Sequence, residues 1–138
     1  MKIREMTSMD YEQVVALCDS SDADSCIATE NVYAFGLVLY RNPGLSFVAE
    51  INGRIVAAIQ CGHDARRGFV HFVAVEKNHQ GNGVGTSLVN KVTEKLSMIG
   101  VRRCHIFIQQ DHNSRPFWEN VGWVVSKDMT VASREIVV

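Results

Sequence analysis

The stretch from Phe69 to Ile99 constrains this chain most, because its hydrophobic period changes across a glycine-rich turn. Phe69 to Val75 is an apolar run of strand type. After the loop Glu76–Gln80 and Gly81-Asn82-Gly83-Val84-Gly85, the residues Val84, Leu88, Val92, Leu96 and Ile99 step along one helical face. Thr86, Asn90, Lys91, Glu94 and Lys95 lie off that stripe, and Gly100 fits a left-handed helix cap. A strand that passes through three glycines into a long helix leaves unpaired amides at the helix start, with the helix dipole behind them. Such a start favours an anionic ligand, most often phosphate.

Two common phosphate loops do not fit. A Walker A loop ends in Gly-Lys-Ser/Thr, whereas Gly85-Thr86-Ser87 has no lysine. The dinucleotide fingerprint is G-x-G-x-x-G, and here the third glycine arrives one residue early with no parallel β-α-β unit before it.

The rest of the chain reads as one α+β domain over residues 1–138, a length at which a single core forms without staples. Lys2-Ile3-Arg4 alternates like a short strand, and Thr7-Ser8-Met9-Asp10 has the form of a capping box with Asp in place of Glu. Tyr11, Val14, Val15 and Cys18 then recur at helical spacing. A second helix is expected over Ile27 to Tyr40, stopped by Asn42-Pro43-Gly44. Leu45 to Ile51 and Arg54 to Cys61 flank Asn52-Gly53, whose residues tolerate the positive φ of a type I′ hairpin turn. With Phe69 to Val75 they form an antiparallel meander. Cys104 to Gln109 reads as a further strand, Ser114 to Asn120 as a short helix, and Trp123 onwards as one or two final strands.

A net charge of -1 without a basic block argues against a nucleic-acid footprint. No apolar run reaches the ~18 residues of a membrane span, and the first ten residues lack a signal core. The four cysteines (Cys18, Cys26, Cys61, Cys104) contain no C-x-x-C pair and are expected to be reduced thiols in a cytoplasmic protein. No metal site is expected.

Gln80-Gly81-Asn82-Gly83-Val84-Gly85 resembles motif A of the GNAT N-acetyltransferase superfamily, Q/R-x-x-G-x-G/A. Phe72-Val73-Ala74-Val75 is similar to that family's strand end, and the element order matches its core. The resemblance covers nearly the whole chain. It implies a mixed central sheet of six to seven strands, splayed between the fourth and fifth and flanked by about four helices. It also implies acetyl-CoA as acyl donor, with main-chain groups of Val73 and Val75 pairing with the pantetheine arm. The amide of Val75 would polarise the thioester carbonyl, and Gln80, Gly81, Asn82, Gly83, Val84, Gly85 and Thr86 would wrap the pyrophosphate. The segment Asn113 to Trp123 resembles the family's N-x-x-A-x-x-F-Y-x-x-x-G-F. Asn113 there contacts the arm. Trp118 stands where many relatives carry a tyrosine that protonates the departing thiolate, and an indole N–H is far too weak an acid for that role.

An attacking amine must lose a proton, so a base is useful. His71 is the first candidate for it, and His105 and Glu30 are weaker ones. A strand histidine is more often a packing or hydrogen-bonded core group, and His112 reads as a loop residue. Tyr33 or Tyr40 can substitute for the missing tyrosine, and Arg66 or Arg67 can grip a substrate carboxylate. Solvated charges on a hairpin tip are an equally ordinary reading of the two arginines. The expected acceptor is a small-molecule or protein amine, and a homodimer is compatible with the family. The rival readings are a non-catalytic acyl-CoA-binding sensor and an interaction module with the same fold.

Overall fold

A computed structural model describes residues 1–21, 31–110 and 113–137 of the chain. Glu30 and His112 lie outside them, as does the first part of the expected second helix. The elements run β1 (Lys2–Glu5), α1 (Tyr11–Ser20), α2 (Val32–Arg41), β2 (Phe47–Ile51), β3 (Arg54–His63), β4 (Gly68–Val75), α3 (Val84–Met98), β5 (Cys104–His105) and α4 (Arg115–Asn120). The sheet order is β1-β2-β3-β4-β5. The first four strands are antiparallel neighbours, and β5 pairs parallel to β4 after the α3 crossover.

Local chemistry explains most boundaries. Thr7 and Asp10 close a reciprocal capping box that starts the turn into α1. Asn52 and Gly53 both have positive φ, 52° and 79°, as a two-residue type I′ turn requires. Asn31 caps α2 by accepting a hydrogen bond from the amide of Ala34 at 2.6 Å. Asn42 ends that helix: its Nδ2 donates to the Val38 carbonyl and its Oδ1 accepts from the His63 amide, tying α2 to the end of β3.

The sheet separates two cores. Val84, Leu88, Val92 and Leu96 of α3 pack with Phe47, Ala49, Ala57 and Ile59 on one face. Val14 and Leu17 of α1 and Phe35 of α2 pack with Val48, Ala58 and Phe72 on the other. Complete burial of each such Leu, Val or Phe contributes about 1.5–3 kcal/mol. Ile99 departs from the expected stripe, because it forms the C-cap of α3 and is exposed.

Three expectations are corrected. Among the described residues the sheet has five strands rather than six to seven. The strand expected over Cys104 to Gln109 contracts to Cys104–His105, and none of the described residues after Trp123 forms a strand. The physical reason is pairing: β5 bonds β4 only at Gly68 and Phe69, so the residues beyond it have no ladder. The cysteines are not all free thiols, since Cys18 is disulfide-bonded whereas Cys61 and Cys104 are free. No described helix is long and apolar enough to cross a membrane.

Candidate active site

β4 sets the geometry. Ladder bonds in an antiparallel pair alternate between facing residues. The amide of Glu76 donates to the Val56 carbonyl at 2.8 Å, so Val75 opposite Ala57 and Val73 opposite Ile59 are the non-bonded pairs. Their N–H and C=O groups therefore point away from β3, toward β5. Pairing with β5 ends at Phe69, six residues before the end of β4. The two strands part there, and the free edge of β4 faces the gap.

The gap opens into a cleft of about 740 Å³. Val73 and Val75 form one wall, Ile106 beyond β5 another, and Phe117 and Trp118 of α4 a third. At one end lie Gln80, Gly81, Gly83, Val84, Gly85 and Thr86, and Asn113 lies on the rim. Nearly every residue expected to hold the cofactor is thus brought together. Asn82 belongs to the same turn but does not line the cleft.

Gly83 is the N-cap of α3 with φ 81°, a left-handed conformation that disfavours any Cβ. The first amide bonded back within the helix is that of Ser87, to the Gly83 carbonyl at 3.0 Å, so the amides before it lack helical partners. A Cβ at Gly81 or Gly83 would meet no protein atom within 4 Å, and both residues line the cleft. Gly85 is constrained differently, since a Cβ there would lie 3.1 Å from the ring of Phe117. Its absence lets α4 close against the first turn of α3.

Gln80 is not a free phosphate ligand through its side chain. Its Nε2 donates to the Val75 carbonyl at 3.0 Å and so holds the turn against the end of β4. Several cleft residues escaped the sequence reading, among them the basic pair Lys77 and His79. The signal was present, as basic residues just ahead of an anion-binding turn. Glu76 anchors their loop: it pairs with Arg54 and lies 3.3 Å from His79 Nδ1. The hydrogen bond from Arg54 holds the Glu76 carboxyl below the usual carboxylate range. No Asp or Glu is among the described residues that line the cleft. One end is therefore positive and amide-rich, and the remainder is apolar.

Trp118 is buried, edge-on to Phe117 at 5.1 Å and tilted against Trp123 at 4.6 Å. The other candidates lie outside the cleft lining. His71 is the extra residue of a β-bulge, because Gln60 and Cys61 of β3 face Phe72 and Val70. Val70 and Phe72 consequently join opposite cores, so simple strand alternation does not decide which face His71 takes. Burial lowers the pKa of its imidazole. His105 stacks obliquely on Phe69 at 5.8 Å, and its buried Nε2 has no hydrogen-bond partner. Tyr33 and Tyr40 are exposed on α2. Arg66 and Arg67 sit on the β3–β4 hairpin tip, where their amides bond Asp64 Oδ1 at 3.0 and 2.8 Å.

The family model for the acetyltransferase (GNAT) family matches residues 4–123. The chain belongs to the GNAT acetyltransferase family. An acetyltransferase of Pectobacterium atrosepticum is 28% identical over 119 residues, which cover 83% of this chain and 80% of that protein. An acetyltransferase of Yersinia pseudotuberculosis matches over the same shares, also at 28% identity. Among solved structures, the apo aminoglycoside 6'-N-acetyltransferase AAC(6')-IG of Acinetobacter haemolyticus superposes with a TM-score of 0.79 at 14% identity, covering 99% of this chain and 100% of that one. AAC(6')-Iy, solved with the bisubstrate analogue CoA-S-monomethyl-acetylneamine, gives a TM-score of 0.76 at 15% identity and covers 98% of each chain. The GNAT fold and the splayed cleft therefore occur together in this chain.

Proposed function

We propose that the protein transfers the acetyl group of acetyl-CoA to an amine of a small molecule or a protein, acting in the cytoplasm. The observation that carries this reading is the continuity of the cleft: the free edge of β4 leads directly to the unpaired amides of α3. A pantetheine arm carries amides and would pair with Val73 and Val75 as an added strand. Its pyrophosphate would meet the Gly81–Thr86 amides, with Lys77 adding positive charge and His79 beside it. The likeness to a fold solved with a CoA bisubstrate analogue supports the same placement.

In this reading the amine attacks the thioester carbonyl directly, without a covalent acyl-enzyme. The Val75 amide, which points into the gap, stabilises the oxyanion of the tetrahedral intermediate. The intermediate collapses to amide and CoA thiolate. Trp118 packs against the arm and donates no proton. The thiolate leaves as such or takes its proton from water, since a thiol ionises near a pKa of about 8.5.

His71 is the proposed general base. Burial depresses its pKa below the ordinary 6.5, so the imidazole is neutral and able to accept a proton at neutral pH. The acid limb of kcat/KM should then fall below pH 6.5 as His71 becomes protonated. His71→Ala should lower the neutral-pH rate by about a hundredfold and erase that limb. A variant with the wild-type profile would remove His71 from the chemistry. The overall reaction is tested by thiol release from acetyl-CoA with aminoglycoside, polyamine and peptide amines. Acetyl-CoA binding without turnover on any amine would instead favour the acyl-CoA sensor.

A further inference from the structure

The short turn Lys77–His79 leads from β4 into the glycine loop, and its backbone is pinned at both ends. On the β4 side the Glu76 amide donates to the Val56 carbonyl at 2.8 Å, and the His79 amide donates to the Glu76 carbonyl at 2.8 Å. On the loop side Gln80 Nε2 donates to the Val75 carbonyl at 3.0 Å. His79 is thereby held beside the cleft that its ring lines.

The ring is served on one edge. Its Nδ1 is buried, makes no well-aligned hydrogen bond and lies 3.3 Å from Glu76 Oε1. The other Glu76 oxygen accepts from Arg54, and that bond keeps the carboxyl ionised at neutral pH. With Nδ1 turned inward to a carboxylate, the edge carrying Nε2 is the one left for the cleft. A neutral imidazole has a single N–H and cannot donate both to Glu76 and to a ligand. An imidazolium can.

The other charged groups around the ring are few. Lys77 shares its turn and also lines the cleft, and Arg54 of β3 is paired with Glu76. The start of α3, Val84 to Ser87, carries no charge, and the end of α1 contributes only the hydroxyl residue Ser21 to the lining.

We infer that His79 binds the pyrophosphate of the cofactor through Nε2 and takes up a proton from solvent as it does so. The inference rests on the acetyl-CoA reading above. Glu76 on one side of the ring and pyrophosphate on the other both favour its cationic form. The loose 3.3 Å contact becomes a charge-assisted bond once both nitrogens carry hydrogen. Pyrophosphate is the partner because His79 stands two residues before Gly81, at the end of the cleft where the helix-start amides lie. No covalent bond changes, and departure of CoA returns the proton to solvent.

Titration calorimetry of the full chain at pH 7.5, in buffers of different ionisation enthalpy, counts the protons exchanged. Dephospho-CoA lacks the phosphate monoester, which itself titrates near pH 6, so its count belongs to the protein. Both ligands should draw in about half a proton or more per molecule bound. Wild-type affinity should fall about tenfold from pH 6.5 to 8.5. His79→Gln should weaken binding about thirtyfold at pH 6.5 and abolish both the uptake and the pH dependence. His79→Lys, a permanent cation, should restore the affinity without the uptake, which a merely structural histidine would not allow. Wild-type protein that binds acetyl-CoA without proton uptake would overturn the inference. So would uptake that persists in His79→Gln, or uptake with acetyl-CoA but none with dephospho-CoA. Absence of acetyl-CoA binding by the folded wild type is a separate failure, that of the acetyl-CoA reading itself.

Discussion

Replacing Gly83 with valine should reduce acetyl-CoA affinity about a thousandfold while the protein still folds. Gly83 holds φ 81° at the start of α3, where a β-branched residue costs about 1–2 kcal/mol of stability. No protein atom lies within 4 Å of the position its Cβ would take, so the fold itself accommodates the added atoms. The ligand does not, because Gly83 lines the cleft and its turn presents the helix-start amides. Losing two charge-assisted hydrogen bonds of about 2 kcal/mol each corresponds to the thousandfold loss. Calorimetric titration and a thermal melt separate the two effects. A folded Gly83→Val protein that binds acetyl-CoA like the wild type would remove this turn from the pyrophosphate site.

Asp10→Ala should lower stability by about 3 kcal/mol, with a fall in Tm of about 10 °C. The Asp10 carboxylate is buried, accepting from Arg4 Nη1 and Nη2 at 2.9 Å each and from the Thr7 amide at 2.8 Å. Removing it leaves the Thr7 N–H without its cap and Arg4 with the Glu50 carboxylate, through Nε at 3.2 Å, and the Glu5 carbonyl, through Nη1 at 3.1 Å. These contacts join β1, β2 and the start of α1, so the loss propagates to the core beneath α1. Burial by itself would raise the Asp10 pKa, but the Arg4 and Thr7 hydrogen bonds outweigh it and hold the carboxyl below 3.8. A depressed carboxyl stabilises the fold above its unfolded pKa and loses that contribution as pH falls through the lower folded value. The difference between wild type and Asp10→Ala should therefore be full at pH 7 and shrink below about pH 4. A change in Tm under 2 °C at neutral pH would show that the Arg4–Asp10 pair contributes little.

What the sequence revealed and what it concealed follow from the range of the interactions involved. Asn52-Gly53, the Thr7–Asp10 box, Gly100 and the Val84–Leu96 stripe are local signals, set by φ or by one helical face, and each reappears in the structure. The motif from Gln80 to Gly85 is local as well, and it located the cleft. Longer-range pairing was not legible. Ile106 and Ile108 alternate as a strand should, but a strand needs a neighbour, and β4 turns away after Phe69. The bulge at His71 has no residue signature, since it arises from the register of β3 against β4. Sequence placed His71 on β4 without showing which face it would take. Gln80 illustrates a subtler gap. Its place in the motif was readable, but the bond from its side chain to Val75 was not. That bond makes it a brace for the turn, leaving the ligand to the backbone.

The central claim is that the β4 edge and the α3 start together form an acetyl-CoA site. Isothermal titration of the purified chain with acetyl-CoA tests it most directly, with dephospho-CoA and NAD as comparison ligands. The account predicts saturable binding of one acetyl-CoA per chain, retained in part by dephospho-CoA through the shared pantetheine and pyrophosphate, and no binding of NAD. Absence of acetyl-CoA binding by the folded protein, or equal binding of NAD, would contradict it.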